Sequence, residues 1–248
     1  MNRRSFLGKT VTISAGLSGL AGSTVFSAEA TASTGSHAVS GSVNKLKPPA
    51  NGRIPVAFCI SQDVTLIDFA GPWEVFNNVM FHKRGNEAAE EMPFDLFTVS
   101  DSTEPIHSGA LQLLPNFTFQ NAPSPKVVVI PAQRGSSALH NWLKEVVKTA
   151  DLTMSVCTGA FQLAKAGLLA GKQATTHHDF ADKLQRDFPD IAVKRGVRFV
   201  ESSDKISTAG GLSSGIDLAL HVVERYFGRA AAERTAAYME YQGRGWIV

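Results

Sequence analysis

Beyond its first thirty residues the chain has no apolar run long enough to span a bilayer, and little else that would mark it for a specialised partner. Lysine and arginine number 24 against 22 aspartates and glutamates, and the formal charge of +2 argues neither for nor against nucleic acid. No internal repeat is visible and no phosphate-cradling glycine–lysine loop occurs. Gly210-Gly211-x-x-x-Gly215 has the wrong spacing for a dinucleotide fingerprint. Metal-ligand spacing is missing too, because His177, His178 and Asp179 are adjacent and successive residues of a strand point to opposite faces. Cysteine is scarce, with only Cys59 and Cys157. A disulfide between them is formally open in an oxidising compartment, but a chain of 248 residues needs no such staple and none is expected.

What is present starts with Met1-Asn2-Arg3-Arg4-Ser5-Phe6-Leu7-Gly8-Lys9, followed by a weakly apolar run rich in Gly, Ala and Ser that ends at Ala28-Glu29-Ala30. A basic start, a modest apolar core and an A-x-A site compose a secretory signal over residues 1–30, and the arginine pair resembles the twin-arginine export type. Export of a folded protein to the periplasm is therefore expected. A retained membrane anchor is the weaker alternative, since the run is short and glycine-rich. Residues 31–53, rich in Ser, Thr, Gly, Ala and Pro, read as a flexible leader that cannot bury a core. Residues 54–248 then suffice for one domain.

Within that domain, residues 55–60, 94–99, 126–131 and 152–156 are short apolar runs that read as buried strands. Helical patterns cover residues 69–76, 137–149, 179–188 and 213–227, and another runs from Cys157 to a stop at Gly171. Leu139, Trp142, Leu143 and Val146 form the inward stripe of the second of these. Residues 106–119 look like an edge hairpin, and 173–176, 197–200 and 205–208 like short strands. Strands alternating with helices predict an α/β fold, a mostly parallel sheet with helices on both faces. Ligands of such sheets bind beyond the carboxyl ends of the strands.

Cys157 lies at such an end. In Ser155-Val156-Cys157-Thr158-Gly159-Ala160 a buried strand turns sharply into a helix, a cysteine version of a nucleophile elbow, with the small residues Ser155 and Gly159 on either side. A helix N-terminus should lower the thiol pKa and populate the thiolate. The residues alone leave open a second reading, a buried packing cysteine.

Four segments together resemble the DJ-1/PfpI superfamily: Leu66-Ile67-Asp68-Phe69-Ala70-Gly71-Pro72-Trp73-Glu74-Val75-Phe76, the cysteine elbow, Ala174-Thr175-Thr176-His177, and Thr208-Ala209-Gly210-Gly211 leading into Gly215-Ile216-Asp217-Leu218-Ala219. The likeness covers residues 54–227 and is best to the branch that holds isonitrile hydratases and the sensor halves of AraC-type regulators. It implies a flavodoxin-like three-layer sandwich, often dimeric. It also implies that Cys157 is the nucleophile and that Asp68, which in isonitrile hydratases hydrogen-bonds the sulfur, shuttles its proton. Thr158 would supply a backbone N–H at the elbow. His177 matches a histidine near the cysteine of DJ-1, although a hydrogen-bonded histidine at a strand end fits equally. Asp68 can alternatively be read as a helix-start residue satisfying backbone N–H groups.

One departure stands out, since the family's Pro-Gly-Gly is here Pro131-Ala132-Gln133-Arg134-Gly135. Ala132, Gln133 and Gly135, with Gly71, are the expected pocket residues; Ala132 offers an N–H, while Gln133 and Arg134 add bulk and charge. The glutamine amidotransferase triad on this fold is missing. The expected activity is isonitrile hydration without metal or organic cofactor. The alternatives are a glyoxalase-like or hydrolytic enzyme using Cys157 with His177, and a ligand- or redox-sensing module. The sequence ends at Val248, soon after the last long helix, which with the export signal argues against a transcription factor. The expected partners are a small-molecule substrate, the twin-arginine machinery during transport and a second copy in a homodimer, with no nucleic acid.

Overall fold

The computed structural model describes residues 45–79, 81–82 and 90–248, so the signal segment, its cleavage site and the leader up to residue 44 lie outside the described residues. Strands β1 (Ile54–Cys59), β2 (Phe94–Ser100), β3 (Phe117–Thr118), β4 (Val127–Ile130), β5 (Leu152–Ser155), β6 (Phe199–Ser203) and β7 (Ile206–Ala209) form one seven-stranded sheet in the order β6-β7-β5-β4-β1-β2-β3. Every neighbouring pair is parallel except β6 against β7. The helices are α1 (Leu66–Asn77), α2 (Ser137–Thr149), α3 (Ala160–Lys165), α4 (Ala181–Asp187), α5 (Ser214–Phe227) and α6 (Arg229–Tyr238).

The period-two alternation of side chains divides the core into two layers. In β1, Val56 and Phe58 join a cluster with Val75 and Phe76 of α1, Leu218 and Val222 of α5 and Ala232 of α6. Ala57 and Cys59 join the opposite cluster with Leu139 and Leu143 of α2, Leu163 of α3 and Leu184 of α4. The result is the flavodoxin-like three-layer α/β sandwich expected from the sequence. Cys157 packs with the first cluster and Cys59 with the second, and both are free thiols.

Local chemistry explains the elements that hold the site. Helix α2 starts where Ser136 Oγ accepts the Leu139 N–H at 3.0 Å, the usual task of a short hydroxyl at an N-cap. Its stripe buries Leu139, Leu143 and Val146, whereas Trp142 stays half-buried against Phe119. Gly71 allows α1 to lie close to α5, because a β-carbon there would come within 3.0 Å of Ile216 Cγ1.

Several expectations are corrected. The helix after the elbow ends at Lys165 rather than near Gly171, since Gly167 and Gly171 take positive φ of 76° and 68° and bring Leu169 into the core through turns. The segment 106–119 divides: Ile106–Ser108 pairs with Leu111–Leu113 as a hairpin, while Phe117–Thr118 joins the main sheet as its edge. Gln173–Ala174 pairs with Ala192–Val193 apart from the main sheet. The end of the leader is docked, with the Leu46 N–H donating to Arg225 O at 2.9 Å and its side chain packed on the first cluster. Among the described residues no helix is long and apolar enough to cross a membrane.

Candidate active site

The chain leaves β5 and reverses direction at Cys157, whose φ of +58° is a left-handed conformation that residues with a β-carbon rarely adopt. Hydrogen bonds hold it there. The Val156 N–H donates to Ile130 O at 2.9 Å and the Cys157 N–H to Gly210 O at 2.8 Å, while the Thr176 hydroxyl donates to Cys157 O at 2.9 Å. A 3-10 turn over Cys157–Gly159 then leads into α3. Gly159 is required by contact, because a β-carbon there would collide with Ile130 O and lie 2.9 Å from Pro131 O. The small neighbour expected at this position is thus explained by close packing against the end of β4.

Asp68 reaches the same point from the first turn of α1 and is fully buried. Its Oδ2 accepts the Ala132 N–H at 3.1 Å. The Cys157 thiol and the Leu212 N–H also lie close enough to lower the carboxyl pKa, but Oδ1 has no partner of full hydrogen-bond geometry. Burial pushes the carboxyl up to about 6, and the nearby Ala132 N–H, Cys157 thiol and Leu212 N–H limit the rise.

The thiol behaves differently from the expectation. Burial first, and the Asp68 charge second, push Cys157 up to about 11, against the lowering effect of the Thr158 and Leu212 N–H groups. The expected helix-dipole effect is outweighed because α3 has only six residues and the sulfur is shielded from water. With the carboxyl near 6 and the thiol near 11, the pair at neutral pH is a protonated thiol beside a carboxylate, with one proton between them. Thr158 does present its backbone N–H to the sulfur.

The other expected pocket residues serve the scaffold. The Ala132 N–H is occupied by Asp68. Gln133 turns inward, its Nε2 donating to Cys59 O at 2.9 Å, and Arg134 pairs with Asp63 at 2.5 Å on the surface. Neither therefore places bulk or charge beside the sulfur. Gly135 has φ +73°, packs against Gln162 and donates its N–H to Ser61 Oγ at 2.9 Å. Gln162 ties this loop down, donating to Gln133 O at 3.1 Å while its Oε1 meets His140 Nε2 at 2.8 Å. His177 lies on Gly211, where a β-carbon would collide with its ring, and Nδ1 accepts the Asp179 N–H at 3.3 Å. Among the described residues no hydrogen bond or ion pair joins His177 to Cys157 or Asp68. His221 is buried beside Glu201 at 3.2 Å and against the ring of Phe199, a place in the core.

Sequence reasoning missed Leu212. Its backbone N–H reaches both Asp68 and Cys157, and its φ of +52° is a second left-handed position at the site. A backbone donor leaves no mark in side-chain type; the preceding Gly210-Gly211 is the only signal for the turn. The same turn forms one wall of a cleft of about 430 Å³ lined also by Thr176, His177 and Lys194. Cys157 and Asp68 do not line this cleft; the Gly210–Leu212 wall and Thr176, whose hydroxyl donates to Cys157 O, lie between them and it. His177 and His178 line it with Asp179 beside them, His177 capping the 3-10 turn His178–Phe180 and none of them on a strand, so the expectation that adjacent side chains diverge is corrected there.

The DJ-1/PfpI family profile matches residues 55–225. An isonitrile hydratase of Pseudomonas putida is 28% identical over 194 residues, which are 76% of this chain and 78% of the hydratase. The HTH-type transcriptional regulator GbdR of Pseudomonas aeruginosa is also 28% identical, over 201 residues, covering 78% of this chain but only 52% of the regulator. A solved ThiJ/PfpI family protein from Pseudomonas syringae superposes with a TM-score of 0.64 at 25% identity, covering 77% of this chain and 76% of that one.

Proposed function

The chain belongs to the DJ-1/PfpI family, and from that premise we propose that it is a cysteine-dependent hydratase that adds water to an isonitrile and releases an N-substituted formamide. The observation that carries the reading is the buried contact between the Cys157 thiol and the Asp68 carboxylate. An isonitrile carbon must accept both a nucleophile and a proton, and this pair holds both in one place. As sulfur attacks the terminal carbon, the thiol proton passes to Asp68 and on to that carbon. The S–C and C–H bonds form, the carbon–nitrogen triple bond becomes double, and a thioimidate remains on Cys157. Water then adds to the thioimidate carbon, Asp68 taking one of its protons and passing it to the nitrogen, while the hydroxyl left on carbon keeps the proton that goes to sulfur in the next step. Collapse of the adduct breaks the S–C bond, protonates the sulfur and frees the formamide.

A carboxyl held near 6 supports this role, because it is ionised at neutral pH yet basic enough to take a proton for an instant. The N–H groups of Thr158 and Leu212 would stabilise the sulfur as it gains negative charge. The similarity to an isonitrile hydratase over three quarters of both chains supports the substrate class. The twin-arginine-type start places the enzyme, in this proposal, in the periplasm. The similarity to regulators supports a second reading, ligand sensing at the same site, in which a small molecule binds and no formamide appears.

The test is intact-protein mass spectrometry after acid quench during exposure to an aryl isonitrile. An added mass equal to the isonitrile, located at Cys157 and absent from Cys157→Ala, is expected. An unmodified Cys157 while formamide accumulates would rule out the covalent route.

A further inference from the structure

We propose that His177, His178 and Asp179 form a binding site for a divalent late transition-metal ion of the Zn²⁺ class at the edge of the cleft. One ligand atom from each residue lies within 4.8 Å of the others. The 3-10 turn His178–Phe180 makes this convergence possible, since successive side chains then turn by about 120° rather than the 180° of a strand. The two imidazoles stack with centroids 4.3 Å apart at 26°. The Asp179 carboxylate spans both rings, with Oδ1 3.1 Å from His178 Nε2 and Oδ2 3.7 Å from His177 Nδ1.

Zinc–nitrogen and zinc–carboxylate bonds of roughly 2.0–2.2 Å in a tetrahedral site put ligand atoms about 3.4 Å apart. Contraction to that spacing needs rotation about the side-chain bonds of two exposed residues, which unstacks the imidazoles, and the metal takes the place of the Asp179 N–H at His177 Nδ1. The His178 and Asp179 side chains are 81% and 69% exposed, while His177 is the fixed anchor at 17%, seated on Gly211. Two imidazoles and one carboxylate match Zn²⁺, Co²⁺, Ni²⁺ or Cu²⁺ rather than Mg²⁺ or Ca²⁺, which take oxygen ligands. Two of the nearby cations are neutralised locally, Arg195 by Asp182 and Arg198 by Asp217, each at 2.5 Å. Three protein ligands leave a fourth position for water or a small anion, and Lys194 lines the same cleft.

The experiment is a Co²⁺ titration of the full untagged chain carrying Cys157→Ser, so that the site thiol cannot compete; Cys59 is buried. One equivalent of Co²⁺ with visible d–d absorption is expected. His178→Ala and Asp179→Ala should each weaken binding at least tenfold with unchanged melting temperature, and His107→Ala, on the Ile106–Ser108 hairpin strand and outside the cluster, should leave it unchanged. No saturable binding, or an affinity unaltered in either of the first two variants, would overturn the site.

Discussion

Replacing Asp68 by asparagine should make the protein more stable while abolishing its proposed activity. The carboxyl is buried and held at about 6 against an ordinary 3.8, so the folded state binds its proton more tightly than the unfolded chain does. Above both values the buried charge costs the fold about 3 kcal/mol. The cost grows as pH rises from about 4 to about 6 and is absent below that range. Asparagine keeps the shape and an oxygen to accept the Ala132 N–H, but carries no charge. Urea unfolding at pH 8 should therefore show the Asp68→Asn variant about 2–3 kcal/mol more stable than the parent, with the difference largely gone at about pH 4. A variant less stable at pH 8, or equally shifted at both pH values, would refute the claim that Asp68 is an ionised, desolvated carboxylate kept for chemistry at the expense of stability.

Other consequences are separable. With its thiol near 11 against an ordinary 9.0, Cys157 at pH 7 should be alkylated by iodoacetamide about 100-fold more slowly than an ordinary cysteine, and Asp68→Asn should speed the reaction. Fast alkylation of the parent at neutral pH would contradict the protonated resting thiol. Gly159→Ala, which drives a β-carbon into Ile130 O, should cost about 1–3 kcal/mol by thermal unfolding and lower turnover more than tenfold. Full activity in that variant would show that the elbow backbone is free to relax.

The parts of the site that depend on side-chain pattern were legible in the sequence. Apolar runs identified β1, β2, β4 and β5, and the Ser155–Ala160 segment marked the elbow and the conformational demand on Cys157. What depends on burial and long-range contact was not legible. Nothing local to Cys157 announces that it will be buried with Asp68, 89 residues earlier, sealed beside it, so that burial first and the carboxylate second reverse the expected fall in its pKa. The inward turn of Gln133 and the surface pairing of Arg134 are not legible, because neither Cys59 O nor Asp63, their partners, is a sequence neighbour. The short α3 was overestimated because Leu168 and Leu169 continue a helical spacing that Gly167 interrupts. His177, His178 and Asp179 were dismissed on strand geometry that a 3-10 turn does not share.

The central claim is that the Cys157 and Asp68 pair adds water to an isonitrile, and turnover of an aryl isonitrile followed by formamide release tests it most directly. Formamide is predicted from the parent protein, with a rate that falls as pH drops below about 6 and Asp68 takes up its proton, and at least a thousandfold loss is predicted in both Cys157→Ala and Asp68→Asn. Formamide produced at the parental rate by either variant would contradict the claim, as would a folded parent protein that binds the isonitrile and releases none.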